Sequence, residues 1–228
     1  MIYGDVPELA DFNREHIEEF NYRLIRWFKE FGRSFPWRER NDVYSLLVAE
    51  ILLQKTNAAK VVDAYNEIIA IYPTPKALSS GSIDLIQKII TPLGLINKAY
   101  ILVNAARILT SVDENSVTLE NLLSIKGIGN YIARSVLIHS REEIYSLLDP
   151  NFLRIYERVF GLRSSLSRPR TDKKLWHAAE ILLPQEHISQ YSYAILDFGA
   201  LVCTLKKPNC FQCPMYSDVC KGVYISEG

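Results

Sequence analysis

The sequence predicts an all-α fold. Apolar residues recur at helical spacing along most of the chain, no stretch alternates apolar and polar as a half-buried strand does, and Gly or Pro falls between the periodic segments. The chain has 228 residues, 48% of them hydrophobic, enough for one large domain or two small ones. Charged residues make up 23%, so no long disordered region is expected.

The elements follow in order. Phe20, Leu24, Phe28 and Phe31 mark a first helix that Gly32 ends. Phe35-Pro36-Trp37-Arg38 is a connection, and Asp42 is placed to cap a helix running through 45–53. Further helices are expected near 58–72, 82–90, 97–111, 118–124, 131–140, 151–160, 172–183 and 189–202, with breaks at Pro73, Gly94 and Gly127. There is no low-complexity segment and no fixed-period repeat.

All four cysteines, Cys203, Cys210, Cys213 and Cys220, lie near the C-terminus with the spacing C-x6-C-x2-C-x6-C. Four close thiols make a ligand set, suited to a [4Fe-4S] cluster or a structural zinc. Zinc sites more often show two C-x2-C pairs and this run has one, which favours iron–sulfur. The alternative is four unrelated buried cysteines. Met1-Ile2-Tyr3-Gly4-Asp5 carries no secretion signal, and no apolar run reaches the length of a membrane span. A reducing, cytoplasmic setting is expected, in which thiols stay available to metal. Lys plus Arg and Asp plus Glu both number 26. A formal charge of zero argues weakly against a nucleic-acid partner, although a neutral sum can hide a basic face.

Leu122-Leu123-Ser124-Ile125-Lys126-Gly127-Ile128-Gly129 leads into the helix beginning near Tyr131. Gly127 and Gly129 allow a tight turn, and the N–H groups that open the second helix suit an anion such as a phosphate. G-x-G alone is more often a plain helix–turn–helix connection. Asp149-Pro150 reads by itself as an N-cap with proline at the first helical position. Glu50 lies within an apolar run, on one face with Leu46 and Leu47, where burial would raise its pKa and suit it to hold or protonate a base. The bland reading puts its head in solvent. Lys206 and Lys207 read as a solvated turn. His16, His139, His177 and His187 show no ligand spacing and are expected to be structural or superficial; Trp176, Tyr191 and Tyr193 are expected in the core.

Together, the hairpin and the cysteine run about seventy residues later resemble the helix-hairpin-helix DNA glycosylases of the endonuclease III superfamily. The resemblance spans roughly residues 20–222. It rests on Pro36-Trp37-Arg38, the stretch from Ala49 through Glu50, Gln54 and Lys55 to Thr56, Leu93-Gly94-Leu95, Lys126-Gly127-Ile128-Gly129, Asp149-Pro150-Asn151-Phe152 and Asp197-Phe198-Gly199-Ala200. It departs at Lys126, where the family usually has proline, and in the last cysteine gap, six residues rather than five.

The resemblance implies a two-lobed all-α fold: a helical barrel over 39–143 that ends in the hairpin, and a cluster domain formed by 1–38 with 144–228. Between them a cleft would hold a flipped base with Asp149 near its floor. It implies a [4Fe-4S] cluster on the four cysteines, Asp149 as the catalytic aspartate and Glu50 as a base-pocket group. Tyr131 stands where bifunctional members carry an imine-forming lysine, and a phenol forms no imine, so a lysine-type lyase step is not expected. Gln54 and Lys55 would enter the duplex, while Lys126, Gly127, Gly129, Lys206 and Lys207 would meet phosphates. The partner would be double-stranded DNA bearing a mismatched or damaged base; no membrane is involved, a monomer is expected, and the setting would be the cytoplasm, on the nucleoid.

Within the superfamily, Asp149-Pro150-Asn151-Phe152 looks most like the enzymes that remove thymine, and with it uracil, opposite guanine. The short segment after Cys220 agrees, since adenine enzymes usually continue into a second domain. The alternatives are adenine removal opposite 8-oxoguanine, and a non-catalytic module that senses damage.

Overall fold

The computed structural model describes residues 13–220; Met1-Ile2-Tyr3-Gly4-Asp5 and the segment after Cys220 lie outside the described residues. Eleven α-helices are found among those residues: α1 Arg14–Phe31, α2 Val43–Leu53, α3 Ala58–Ile71, α4 Pro75–Ser79, α5 Ile83–Ile90, α6 Lys98–Thr110, α7 Leu119–Leu123, α8 Asn130–Arg141, α9 Pro150–Phe160, α10 Lys173–Ile181 and α11 Ile188–Leu201. Short 3₁₀ turns lie at Pro36–Glu39, Thr91–Leu93, Glu114–Ser116, Pro169–Thr171 and Cys210–Gln212. No strand forms among the described residues; one isolated bridge joins Tyr216 to Cys220. No helix among the described residues is long and apolar enough to cross a membrane.

The chain divides into two compact units. One is Ser34–Glu143. Its central helix is α2, in which Val43 to Leu52 are all buried, so this helix has no polar face. Asp42 caps it through a hydrogen bond from the Ser45 N–H (2.7 Å). Helices α3, α6 and α8 pack around it, and α4 packs on α6. The Phe35 and Trp37 rings stack in the connection before α2, and Trp37 meets Tyr65 edge-on. Burying the apolar side chains of α2 on every side contributes roughly 1.5–3 kcal/mol for each large one.

The other unit comprises the chain up to Arg33 and from Ile144 onward. Here α1 and α9 pack against α11. Phe20 and Leu24 of α1 are fully buried, whereas Phe31 ends the helix 54% exposed. Asp197 on α11 is fully buried and satisfied by Arg33, whose N–H (2.7 Å) and Nε (2.8 Å) donate to its two oxygens. A paired carboxylate is needed there, because burying a lone one costs several kcal/mol. Tyr191 and Tyr193 lie in this core as expected. Trp176 does not: it is half-buried, because its Nε1 donates to the Arg170 carbonyl (2.9 Å) and holds the indole at the rim.

Candidate functional site

In the Ser34–Glu143 unit the hairpin joins α7 to α8. A capping box starts α7: the Asn121 N–H donates to Thr118 Oγ1 and the Thr118 N–H donates to the Asn121 side chain. Gly127 has φ +97, a left-handed value that favours glycine. Any Cβ there would meet Ile101 Cδ1 at 2.7 Å. Gly129 caps α8 with an extended backbone and no side-chain hydrogen bond. A Cβ at Gly129 would meet nothing within 4 Å, so its surface is open. Lys126, Gly127 and Gly129 are all exposed. The first N–H groups of α8 thus emerge beside a lysine with no capping side chain in front of them, an arrangement that suits an anion.

Gln54 lies just past α2 and donates from Nε2 to the Gly127 carbonyl (3.2 Å). That bond ties the α2 end to the hairpin. Lys55 follows, exposed and left-handed at φ +60. Its charge pushes the Lys98 amine down in pKa, after the larger effect of burial. Tyr131 sits half-buried in the first turn of α8.

Glu50 is buried and accepts a hydrogen bond from Ser135 Oγ of α8 at 2.6 Å. The solvent-facing alternative is therefore excluded, and the physical reason is the wholly buried character of α2. His139, also buried in α8, is held neutral: burial, then the charge of Arg38, lowers its pKa to about 3. His16 is half-buried, with its Nε2 2.7 Å from the Val219 carbonyl, while His177 and His187 are exposed.

The second group of residues belongs to the other unit. Asp149 caps α9, and Pro150 takes the first helical position. Its Oδ1 accepts from the N–H groups of Asn151 and Phe152 (both 2.8 Å), and its Oδ2 accepts from Asn151 Nδ2 (2.9 Å). Burial raises the carboxyl pKa. The Phe152 N–H, the Asn151 side chain, the Asn151 N–H and the Arg170 charge pull against that, and the net displacement is upward.

The four cysteines gather around an apolar cavity that is also lined by Val159, Phe198, Val202 and Met215. Arg158 Nη1 donates to Cys203 Sγ (3.3 Å) and the Met215 N–H to Cys213 Sγ (3.4 Å). Burial and the neighbouring sulfurs raise the thiol of Cys210, and raise that of Cys213 to about 11. Raised in this way, the Cys210 and Cys213 thiols favour their protonated form. No group of three or more His, Cys, Asp or Glu among the described residues is disposed to hold a metal ion. Lys206 and Lys207 are exposed in the first gap, which is closed by Thr204 Oγ1 donating to the Lys207 carbonyl (2.7 Å).

Two residues that join Asp149 to this loop escape a reading of the sequence. Arg154 donates from Nη2 to Asn151 Oδ1 and to the Gly199 carbonyl, and from Nε to the Cys203 carbonyl, all at 2.8 Å. Arg158 binds the Thr204 and Leu205 carbonyls besides Cys203 Sγ (2.8 and 3.1 Å to the carbonyls). Asn151, Arg154 and Arg158 stand at i, i+3 and i+7 on α9, so the helical spacing was available as a signal. Ser135 gave none, since it meets Glu50 across 85 positions.

Residues 48–180 match the model of the HhH-GPD superfamily base excision DNA repair proteins. A thymine/uracil-DNA glycosylase of Pyrobaculum aerophilum is 36% identical over 94% of this chain and 94% of its own length. A thymine-DNA glycosylase of Aeropyrum pernix is also 36% identical, over 91% of this chain and 96% of its own. The structure of a thermostable thymine-DNA glycosylase superposes with a TM-score of 0.81 at 28% identity, covering 91% of this chain and 96% of that one.

Proposed function

The chain belongs to the HhH-GPD superfamily of base excision DNA repair proteins, and from that premise we propose that it is a monofunctional DNA glycosylase that removes thymine, and uracil, mispaired with guanine. The observation that carries this reading is Asp149: a carboxylate at a helix N-cap, oriented by three hydrogen bonds, in a chain alike over nearly its whole length to a thymine/uracil enzyme.

In the reaction, the bond between sugar C1′ and thymine N1 breaks and its electron pair leaves with the base. The sugar becomes cationic; water then adds to C1′ and loses a proton, and the departed base gains one. The Asp149 carboxylate opposes that positive charge. Its geometry suits the work, because Asn151 and the α9 amides hold both oxygens and little reorganisation remains for the moment of bond breaking. Glu50, buried and fixed by Ser135, is suited to hold the base edge. A G/T pair is already weakly held, so extruding its thymine costs less than extruding one from an A/T pair.

Tyr131 supports the monofunctional reading, because a phenol forms no imine with the opened sugar. Borohydride should therefore trap no enzyme–DNA adduct, and strand breakage should require added alkali. Lys126 with the open amides of α8, and Gln54 and Lys55 past α2, are assigned to the DNA backbone and the gap left by the base. Lys206 and Lys207 are assigned to phosphates.

We assign a [4Fe-4S] cluster to Cys203, Cys210, Cys213 and Cys220. The four thiols line one apolar cavity, which suits a bound group there. The bound cluster would hold the 203–220 loop in shape and place positive iron among the sulfurs. Purified protein should be brown with broad visible absorption; colourless protein carrying stoichiometric zinc would refute the assignment.

The function itself is tested by single-turnover base release from G/T, G/U and A/8-oxoguanine duplexes. Thymine should leave fastest or second to uracil. Faster release of adenine would move the chain to the adenine class, and no release from any duplex would leave only a damage-binding module.

A further inference from the structure

Residues 161–174 hold a charge that the neutral total conceals. Arg163, Arg168, Arg170, Lys173 and Lys174 face a single acid, Asp172. That acid is spent on the fold. Asp172 is buried, accepts from Ser164 Oγ (2.6 Å), and caps α10 through the N–H groups of Lys174 (3.0 Å) and Leu175 (3.3 Å). The Ser164 hydroxyl also takes the Leu166 N–H (3.0 Å). The 3₁₀ turn Pro169–Thr171 is closed by Thr171 onto the Arg168 carbonyl, and Trp176 Nε1 fastens the Arg170 carbonyl. The backbone of the loop is thus held at both ends and in the middle.

Its cations are not used in the same way. Arg163 is committed to Glu157. Arg168 and Arg170 are exposed, and no side chain among the described residues takes either guanidinium in a hydrogen bond or an ion pair. Lys173 and Lys174 occupy the first turn of α10. Cations there oppose the helix dipole, where an acid would add about 0.3–1 kcal/mol, so the fold gains nothing from them. A pinned loop that presents unspent cations against local preference is expected at a binding site.

We propose that loop 161–174 is a DNA phosphate-contact surface, with Arg168 and Arg170 gripping the backbone. The proposal rests on the glycosylase reading for its partner. It is distinct from the α8 hairpin in how it binds: guanidinium forks rather than backbone amides, and Arg is the side chain that meets phosphate in a bidentate way.

The test is equilibrium binding of the full chain to an undamaged duplex and to a G/T duplex across a salt series. Arg168→Gln with Arg170→Gln should weaken both duplexes alike by about 10-fold or more near 0.1 M salt, and should flatten the slope of log K against log salt by about 1.8, at 0.9 per phosphate contact. Arg168→Lys with Arg170→Lys should restore most of the slope, and Arg163→Gln should leave it unchanged. If the double glutamine variant melts below the assay temperature, the two single variants are read instead, each with a shift of about 0.9. An unchanged slope in folded variants overturns the proposal, as does a loss confined to the G/T duplex. A wild-type protein that releases no base, while the variants show the stated changes of slope on undamaged duplex, would refute the glycosylase reading and leave the loop assignment standing.

Discussion

Two helices of this protein begin in opposite ways. Helix α8 opens on Gly129, which offers no side chain to its first N–H groups. Helix α9 opens on Asp149, whose carboxylate fills the same position from within by accepting the Asn151 and Phe152 N–H groups. Every helix N-terminus attracts negative charge. At α8 no side chain takes up that attraction; at α9 the chain spends it on an anion of its own. The comparison teaches how one local device serves two chemistries. An uncapped start suits binding a phosphate, and a filled one suits holding a partly desolvated carboxylate in a fixed orientation.

The sharpest way to break this comparison is Asp149→Asn. Asparagine caps a helix about as well as aspartate, so the fold should stand while base release falls about 10²-fold or more, with near-normal affinity for the mismatch. Full activity would move the charge role to another carboxylate, with Glu50 the first to examine.

Gly127→Ala comes next. The left-handed backbone and the 2.7 Å approach to Ile101 predict a loss of roughly 1–3 kcal/mol in urea unfolding. Gly129→Ala, with open space around it and an extended backbone, should cost about 0.5 kcal/mol or less. If the two behave alike, the hairpin does not depend on the conformation described for Gly127.

Asp149→Asn carries a second, smaller expectation. The folded carboxyl pKa is raised, so Asp149 adds stability when protonated, below the ordinary carboxylate range, and that contribution disappears as pH rises through the raised value. At neutral pH the variant should melt higher than the parent protein, a difference that closes as the pH is lowered. A variant that melts lower at pH 7 would mean that the hydrogen bonds to the carboxylate outweigh its desolvation.

Lys126→Ala probes the open helix start. Binding should weaken similarly on matched and mismatched duplexes, and the salt slope should fall by about 0.9. A loss restricted to the mismatch would place Lys126 in base recognition.

Much of this architecture is legible from local pattern. The helix at 58–72 is observed at Ala58–Ile71, that at 97–111 at Lys98–Thr110, and that at 151–160 at Pro150–Phe160. Caps were readable too, because Asp42 and Asp149 act through bonds to amides two or three residues on. The short helix Pro75–Ser79 left no legible period, since five residues hold little more than one turn. Trp176 misled because an indole is large and apolar, while its N–H found a carbonyl at the surface.

The sequence by itself determined the helical class, the glycine turn, the Asp-Pro cap and a four-thiol set, all of which depend on neighbours a few residues apart. It also placed Glu50 in an apolar run. Only the tertiary structure decided that Ser135 meets Glu50 and that Arg154 and Arg158 bind the cysteine loop to α9. Periodicity records which face of a helix turns inward, but it carries no record of what lies across from that face. Pairings between distant segments are set by packing, in which each helix takes its neighbours from the whole chain at once.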